Sequence, residues 1–395
     1  MTAPPLDGLR VLDLSRFIAG PLCCQILGDM GAEVVKVERP GGEDSRRNVP
    51  HHRGHSLYTL NYNRSKHGVT LDTRHPKALG VLDELVRGSD VVVENFRPGT
   101  LAKMGLGWER IHELNPRAVL VSISGFGQTG PNRERALFDA IAQAASGLMS
   151  MTGTPDGPPT MAGAFVADHI AAFHGVMGAM MALAARARTG DGQHVDISCL
   201  DALFSCMGTL PAAWRMLGEE VGRTGNRDHI TVPANAYPTA DGYLYLHAGT
   251  DALFPRLAAA MGMPELTGDP RFADQEARLV HVEALDDVVR GFTRRHTSER
   301  IGALLAAAGV PYSPVNSVAE ATDSAQVRAR DMMIEVEHPE LGTLVLPGLA
   351  LKLGGTPGSV RKAPPLPGED NAEVYSRLLG LDADELAALR ADGVI

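Results

Sequence analysis

The sequence predicts an α/β protein: a large, doubly wound, Rossmann-like domain on a parallel sheet, joined by a long linker to a smaller α+β domain. Three observations carry this. Short runs of β-branched residues, among them Val34-Val35-Lys36-Val37 and Val91-Val92-Val93, alternate with stretches of helical length in the first half of the chain. The first strand, the helix after it and the second strand together take about thirty residues, the size of a βαβ unit, which implies parallel pairing and a right-handed crossover. Beyond residue 242 the alternation ends and strands and helices fall into separate groups, as in α+β domains.

In chain order, residues 8–15, with Val11, Leu12 and Leu14, read as a buried strand, and Gly20-Pro21 opens a helix because proline is tolerated at a first helical position. Gly31 stops that helix, and residues 33–39 form the second strand. Residues 40–66 form a polar connection rich in arginine and histidine. A strand over 68–72, a helix over 76–87 and an apolar strand over 90–96 follow, then a helix near 108–115 and a buried strand over 118–124. A glycine-containing loop leads to a helix over 137–149, a longer helix ending near 186, and a strand over 193–198. Gly222, Gly225, Asn226 and Pro233 mark a break. The limits so placed are 1–220 for the large domain, 221–240 for the linker and 241–345 for the smaller domain. That domain closes on a hairpin with arms 334–338 and 344–347, and residues 346–395 return to the large domain as two short helices.

Composition narrows the classes of function. The 395 residues, 44% hydrophobic and 21% charged, are those of an ordinary globular protein. A formal charge of -10 argues against general nucleic-acid binding, which needs clustered lysine and arginine, so an anionic ligand would require locally placed cations. The first residues have neither a basic nor an apolar leader region, and a cytoplasmic protein is expected. The most apolar helix, read as 170–185, falls short of the about 20 residues of a membrane span and is expected to be buried, with no membrane role. Cys23, Cys24, Cys199 and Cys206 match no metal or redox spacing and read as reduced core thiols.

The turn Ser15-Arg16-Phe17-Ile18-Ala19-Gly20-Pro21 lacks the glycines of a dinucleotide fingerprint, and no phosphate-binding P-loop occurs. His51, His52 and His55 have no cysteine or carboxylate at a ligand spacing, so no metal site is expected, whereas the neighbouring arginines suit phosphate. Asn95 and Phe96 follow a strand end, where ligands of open α/β sheets gather. Asp168 falls where extended sequence passes into a helix rich in alanine and glycine. A carboxylate there is expected to stay ionised under the helix dipole, and it either caps the helix or attacks an electrophile. His169 beside it reads as a structural or solvent-facing residue.

Several blocks resemble one family in the family's own order: Leu6-Asp7-Gly8-Leu9-Arg10-Val11-Leu12-Asp13-Leu14-Ser15 with Ala19-Gly20-Pro21, Gly31-Ala32-Glu33-Val34-Val35-Lys36-Val37-Glu38, Val93-Glu94-Asn95-Phe96-Arg97-Pro98-Gly99, Ser124-Gly125-Phe126-Gly127 and Ala363-Pro364-Pro365-Leu366-Pro367-Gly368-Glu369. They are similar to the class III coenzyme A transferases of the CaiB/BaiF type. The resemblance implies that the large domain binds CoA, that long linkers join it to the small one, and that two copies interlock as a homodimer. It makes Asp168 the nucleophile and places CoA contacts at Phe17, Ile18, Ala19, Arg39, Leu71, Asn95, Phe96, Lys103 and Phe138. Lys103 stands where relatives often carry arginine, which keeps the charge and loses the fork.

The implied reaction moves CoA from an acyl-CoA to a free carboxylic acid through an aspartyl-CoA thioester, with CoA as substrate and no tightly bound cofactor. The related α-methylacyl-CoA racemases place a histidine before an aspartate as a second proton carrier, and this chain has Phe138-Asp139 there, which disfavours racemisation. A non-catalytic acyl-CoA-binding protein is the alternative of another class. Ile18, where the formyl-CoA and oxalate branch has glutamine, and Thr231-Val232-Pro233-Ala234-Asn235-Ala236-Tyr237, where that branch has a glycine run, argue against that branch. Carnitine derivatives, dicarboxylates or aromatic acids are expected instead.

Overall fold

The computed structural model describes residues 3–395. Two compact units divide the chain: one comprises residues up to Leu148, Ala162–Gly208 and Gln326–Ile395, the other Met149–Met161 and Thr209–Ala325. These limits differ from those read from the sequence. The hairpin of Met333–His338 and Gly342–Pro347 belongs to the first unit, because its Leu344 and Leu346 cluster with Leu60 and Leu341.

The first unit is organised by six parallel strands: β1 (Arg10–Asp13), β2 (Glu33–Glu38), β3 (Lys66–Thr70), β4 (Val91–Glu94), β5 (Val119–Ser124) and β6 (His194–Ser198). Their order is β3-β2-β1-β4-β5-β6, every neighbouring pair parallel. The chain runs outward in one direction from β1 and then in the other from β4. The crevice between the carboxyl ends of these two strands is therefore the topological switch point, where doubly wound sheets bind ligands.

Five helices of this unit bear on the site: α1 (Ala19–Asp29), α2 (Ala78–Arg87), α3 (Asp139–Ser146), α4 (Val166–Thr189) and α5 (Cys199–Ser205). Alternation along the strands sends Val11, Val34, Val93, Val121 and Ile123 to the face covered by α1 and α4, and Leu12, Val35, Val92 and Leu120 to the face covered by α2. Close approach of α4 to the sheet requires glycine: a Cβ on Gly175 would come within 2.9 Å of Ile123 and 3.1 Å of Cys23.

In the second unit β7 (Ala234–Pro238), β8 (Tyr243–His247) and β9 (Tyr312–Pro314) form an antiparallel sheet in the order β9-β8-β7. The hairpin β10 (Met333–His338) and β11 (Gly342–Pro347) and the helices α6 (Asn371–Leu379) and α7 (Ala383–Ala391) complete the chain. Tyr375 on α6 donates its hydroxyl to Thr70 O at 2.8 Å, which fastens the tail to β3.

Three expectations need correction. The connection 40–66 is not simply a solvated loop: it contains a 3-10 turn, a short ribbon and the helix Leu57–Tyr62, and its last residue, Lys66, starts β3. Two of its cations are buried and paired, Arg64 with Asp29 and Lys66 with Asp13, each at 2.8 Å, while Arg47 and Arg53 are exposed. The apolar helix has 24 residues, long and apolar enough by length and composition to cross a membrane. It is also not buried all round: Ala171, Ala172, Gly175, Ala179 and Ala182 pack inward, while Phe173, Met177 and Met181 stay exposed. Cys206 is exposed, unlike the three core thiols.

Beneath the switch point lies a wholly buried ionic cluster. Burial alone would raise the Asp13 carboxyl, but the ammonium groups of Lys36 and Lys66 hold it at about 2. Lys66 donates to Asp13 Oδ2, to Pro21 O and to Asn63 Oδ1, so all three of its protons are used. Lys66→Met should therefore leave a buried carboxylate under-compensated and lower the unfolding free energy by roughly 3–5 kcal/mol, measured by urea titration. A loss under about 1 kcal/mol would show that the cluster contributes little to stability.

Candidate active site

The loop after β1 carries a local conflict that its surroundings resolve. Phe17 adopts a left-handed backbone with φ 64°, costly for a side chain with a Cβ. Three distant groups hold it there. Asn95 clasps the backbone of Arg16 on both sides, accepting from Arg16 N at 2.8 Å and donating to Arg16 O at 2.7 Å. Glu43 Oε2 accepts Phe17 N at 3.1 Å, and Lys36, paired with Glu43 at 3.3 Å, donates to Ser15 O at 2.9 Å. Gly20 allows the loop to fold back on α1, since a Cβ there would come within 2.1 Å of Ser15.

Asp168 enters from α4. It is the third residue of that helix, whose N-cap position is held by Phe165, so it is not the cap that the sequence suggests. The capping group comes from α3: Asp139 Oδ1 accepts the backbone N–H of Ala167 at 2.7 Å and of Asp168 at 3.1 Å. Asp139 Oδ2 accepts from Gln143 Nε2 at 2.6 Å, and Gln143 Oε1 accepts Ala162 N at 2.8 Å. The helix-end donors that would have stabilised an ionised Asp168 are thus spent on another carboxylate.

Burial first, and the negative charge of Asp139 second, raise the Asp168 carboxyl to about 7. This runs against the expectation that the helix dipole keeps Asp168 ionised near neutral pH. His169 is structural, as its sequence context suggested: Nδ1 lies 2.7 Å from Phe165 O and the ring meets Tyr62 and Phe173 edge-on.

Asp168 opens into a cleft of about 330 Å³ at the switch point. Of the residues expected from the sequence, Phe17, Ile18, Ala19, Asn95, Phe96 and Phe138 line it with Asp168. Phe17 and Phe138 meet edge-to-face with centroids 5.9 Å apart, making one apolar wall. Ile18 and Ala19 are buried, and the Asn95 amide is committed to the Arg16 loop, so Asn95 shapes the cleft.

Arg39 and Leu71 line an adjoining hollow that shares Arg16 and Phe96 with the first. Arg39 is paired with Asp44 at 2.5 Å, and Leu71 is wholly buried in the floor. Lys103 is exposed and lines neither hollow.

Sequence reasoning missed the cations of the cleft. Arg16, Arg97 and Arg135 line it, Arg16 stacked over the Phe96 ring at 5.3 Å and Arg135 over Phe126 at 5.6 Å. They give this acidic protein the local positive charge that a phosphate-bearing ligand needs. His51, His52 and His55 form no three-ligand group. Among the described residues His67, Asp370 and Glu373 come close enough to do so, but Lys362 is ion-paired with Asp370, and none of the three lines the cleft.

A switch-point cleft with an apolar wall, three guanidinium groups and one carboxylate without a donor among the described residues is suited to a long anionic ligand. The chain matches CoA-transferase family III over residues 6–371 and belongs to that family. The succinyl-CoA–D-citramalate CoA-transferase of Chloroflexus aurantiacus is 42% identical over 99% of this chain and 98% of its own length. The formyl-CoA:oxalate CoA-transferase of Streptomyces avermitilis is 37% identical over 99% of both. A solved CaiB/BaiF family protein from Brucella suis superimposes with a TM-score of 0.85 at 33% identity, covering 95% of this chain and 100% of that one. The protein is a class III CoA-transferase, acting on an acyl-CoA and a carboxylic acid.

The raised Asp168 carboxyl has a consequence for stability. Because its folded value lies above the ordinary aspartate value of 3.8, its stabilising contribution is complete below about pH 4 and is lost as pH rises through about 7. Asp168→Asn removes that loss. In thermal unfolding the variant should gain on the wild type between about pH 4 and pH 8, and a variant less stable than the wild type at about pH 8 would contradict the assignment.

Proposed function

We propose that the protein transfers CoA from a dicarboxylic acyl-CoA of the succinyl type to a second carboxylic acid, with Asp168 carrying both covalent intermediates. The carrying observation is that the Asp168 carboxylate has no hydrogen-bond donor among the described residues while lying in the cation-rich cleft. A carboxylate so placed is kept for a ligand.

An Asp168 oxygen attacks the thioester carbonyl carbon, CoA leaves as thiolate, and a mixed anhydride remains. The thiolate then attacks the Asp168 carbonyl and expels the donor acid, giving the aspartyl-CoA thioester. The acceptor carboxylate repeats the two steps in reverse and restores Asp168. Each step exchanges one acyl bond for another of similar energy, and no electrons or net protons are transferred.

Racemisation would need a second proton carrier facing the same α-carbon. The other titratable acid of the cleft is Cys199, whose thiol is pushed up to about 12, chiefly by burial and then by the charges of Asp168 and Asp139, and Phe138 cannot carry a proton. The choice of a dicarboxylic donor is supported by the citramalate relative, whose name gives succinyl-CoA as donor, and by the arginines that line the cleft, cations of the kind that meet a carboxylate. We also propose a cytoplasmic homodimer. The exposed Phe173, Met177 and Met181 on the outer face of α4 support the dimer, since an apolar stripe of this kind is ordinarily covered.

Three measurements test this reading. Succinyl-CoA incubated with a panel of mono- and dicarboxylic acids and followed by mass spectrometry should yield the acceptor's thioester with a dicarboxylate. Exchange confined to formyl-CoA and oxalate would reverse the substrate assignment, and no exchange with any donor would remove the activity. Arg97→Ala should raise KM for acyl-CoA roughly ten- to a hundredfold while kcat changes little, the signature of lost uniform binding, whereas an unchanged KM would take Arg97 out of the ligand's path. Light scattering should give a dimer mass down to the lowest usable concentration, and a folded monomer would end the dimer proposal.

A further inference from the structure

Asp139 takes no part in the acyl exchange just described, yet few groups in the site are held more firmly. Each of its oxygens is occupied: Oδ1 by two consecutive backbone N–H groups at the start of α4, Oδ2 by the Gln143 amide, which is itself tied to Ala162 N. Four hydrogen bonds joining three segments fix a buried negative charge beside the backbone of Asp168. If shape were its only task, a neutral acceptor would serve the two N–H groups, since asparagine caps helices about as well as aspartate. What only aspartate supplies is the charge.

We propose that Asp139 is a positioning residue whose fixed negative charge favours the acylated forms of Asp168 over its ionised form, so that the enzyme rests as the aspartyl-CoA thioester between its two half-reactions. This rests on Asp168 being the nucleophile. An ionised Asp168 meets a like charge in a partly desolvated cleft, with no donor of its own. Conversion to the anhydride or to the thioester removes its charge and relieves that repulsion. Protonation relieves it in the same way, so the interaction that opposes ionisation favours acylation by a similar amount. The direction of the Asp168 titration, raised by burial and by Asp139, agrees with this.

The other groups around Asp168 do not offset the effect. Tyr58 and Tyr62, on the helix Leu57–Tyr62, and Cys199, on α5, are all kept neutral, each with its titration raised by burial first and by the Asp168 charge among the further causes. His169 is engaged by Phe165 O, and Arg16, Arg97 and Arg135 share the cleft, yet the charge that acts on Asp168 is that of Asp139. The three guanidinium groups are moreover the ones a bound CoA would engage.

The test is Asp139→Asn, with Asp139→Glu beside it. For each protein two quantities are measured: the pH midpoint of kcat/KM for acyl-CoA, and the fraction of enzyme recovered as a CoA adduct after incubation with acyl-CoA and no acceptor. In the Asn variant the midpoint should fall by about one pH unit or more from that of the wild type, and the adduct should fall about tenfold, because one unit of pKa corresponds to a tenfold equilibrium factor. The Glu variant restores the charge and should recover both quantities even where its kcat is lowered by misplacement. An Asn variant that is slow but keeps the wild-type midpoint and adduct fraction would reduce Asp139 to a structural cap and overturn the proposal. Should the Asn protein fail to fold, a Glu variant whose midpoint drops to that of an ordinary aspartate would overturn it equally. A wild-type enzyme that forms no adduct at any pH would instead refute the role of Asp168 itself, so the two failures are distinguishable.

Discussion

Two backbone N–H groups at the start of α4 are satisfied by Asp139, and the chemistry of the site follows from that choice. A helix N-terminus is the ordinary place to stabilise an anion. Here its capacity is spent on a carboxylate from α3, and Asp168, one turn inside, keeps its own oxygens free of protein donors. The result is a carboxyl raised to about 7, whose basicity suits the attack on a thioester that we propose and whose charge is opposed by its surroundings. Had Asp168 been the cap, its lone pairs would have been tied up and its basicity lowered.

The opposite wall depends on a similar division of labour. The Arg16–Phe17 backbone is held out of its preferred conformation by Asn95, Glu43 and Lys36, and the charges involved are anchored in the buried cluster around Asp13. This arrangement aims the Phe17 ring at Phe138 and leaves the Arg16 guanidinium stacked on Phe96, where the two hollows join. Ionic residues that do not themselves line the cleft, Asp13, Lys36 and Glu43, thus set its shape. Because the strained loop and the capped helix belong to the same unit, the cleft is assembled by one sheet and the helices packed on it.

Local patterns made the frame of this site readable. The valine runs of β2 and β4, the glycine and proline around α1 and the apolar stretch of β5 announce a parallel sheet, and Asp168 stood out at a helix start. What could not be read depends on partners distant in sequence. Asp139 caps a helix by accepting an N–H 28 residues further along the chain, beyond any rule that looks within a turn, and Lys66 is neutralised by Asp13 at a separation of 53 residues. Arg16, Arg97 and Arg135 sit in loops, where no periodicity marks a residue as facing a ligand. The apolar stretch 170–185 extends by a turn at each end of α4, where distant residues hold it: Asp139 accepts N–H groups at its start, and Arg186 reaches Arg117 O at 2.9 Å and Asp90 at 3.0 Å near its end.

The path of a single oxygen atom tests the central claim most directly. If Asp168 passes through an anhydride with the acceptor, the oxygen that bridges the two carbonyls stays with Asp168 when CoA thiolate takes the acceptor's acyl group. One turnover with an acceptor acid labelled with oxygen-18 in both carboxyl positions should then add about 2 Da to the peptide containing Asp168, and the next donor acid released should carry the label away. Labelled donor acid accompanied by an unlabelled Asp168 would mean that the two substrates exchange directly, and would contradict the account.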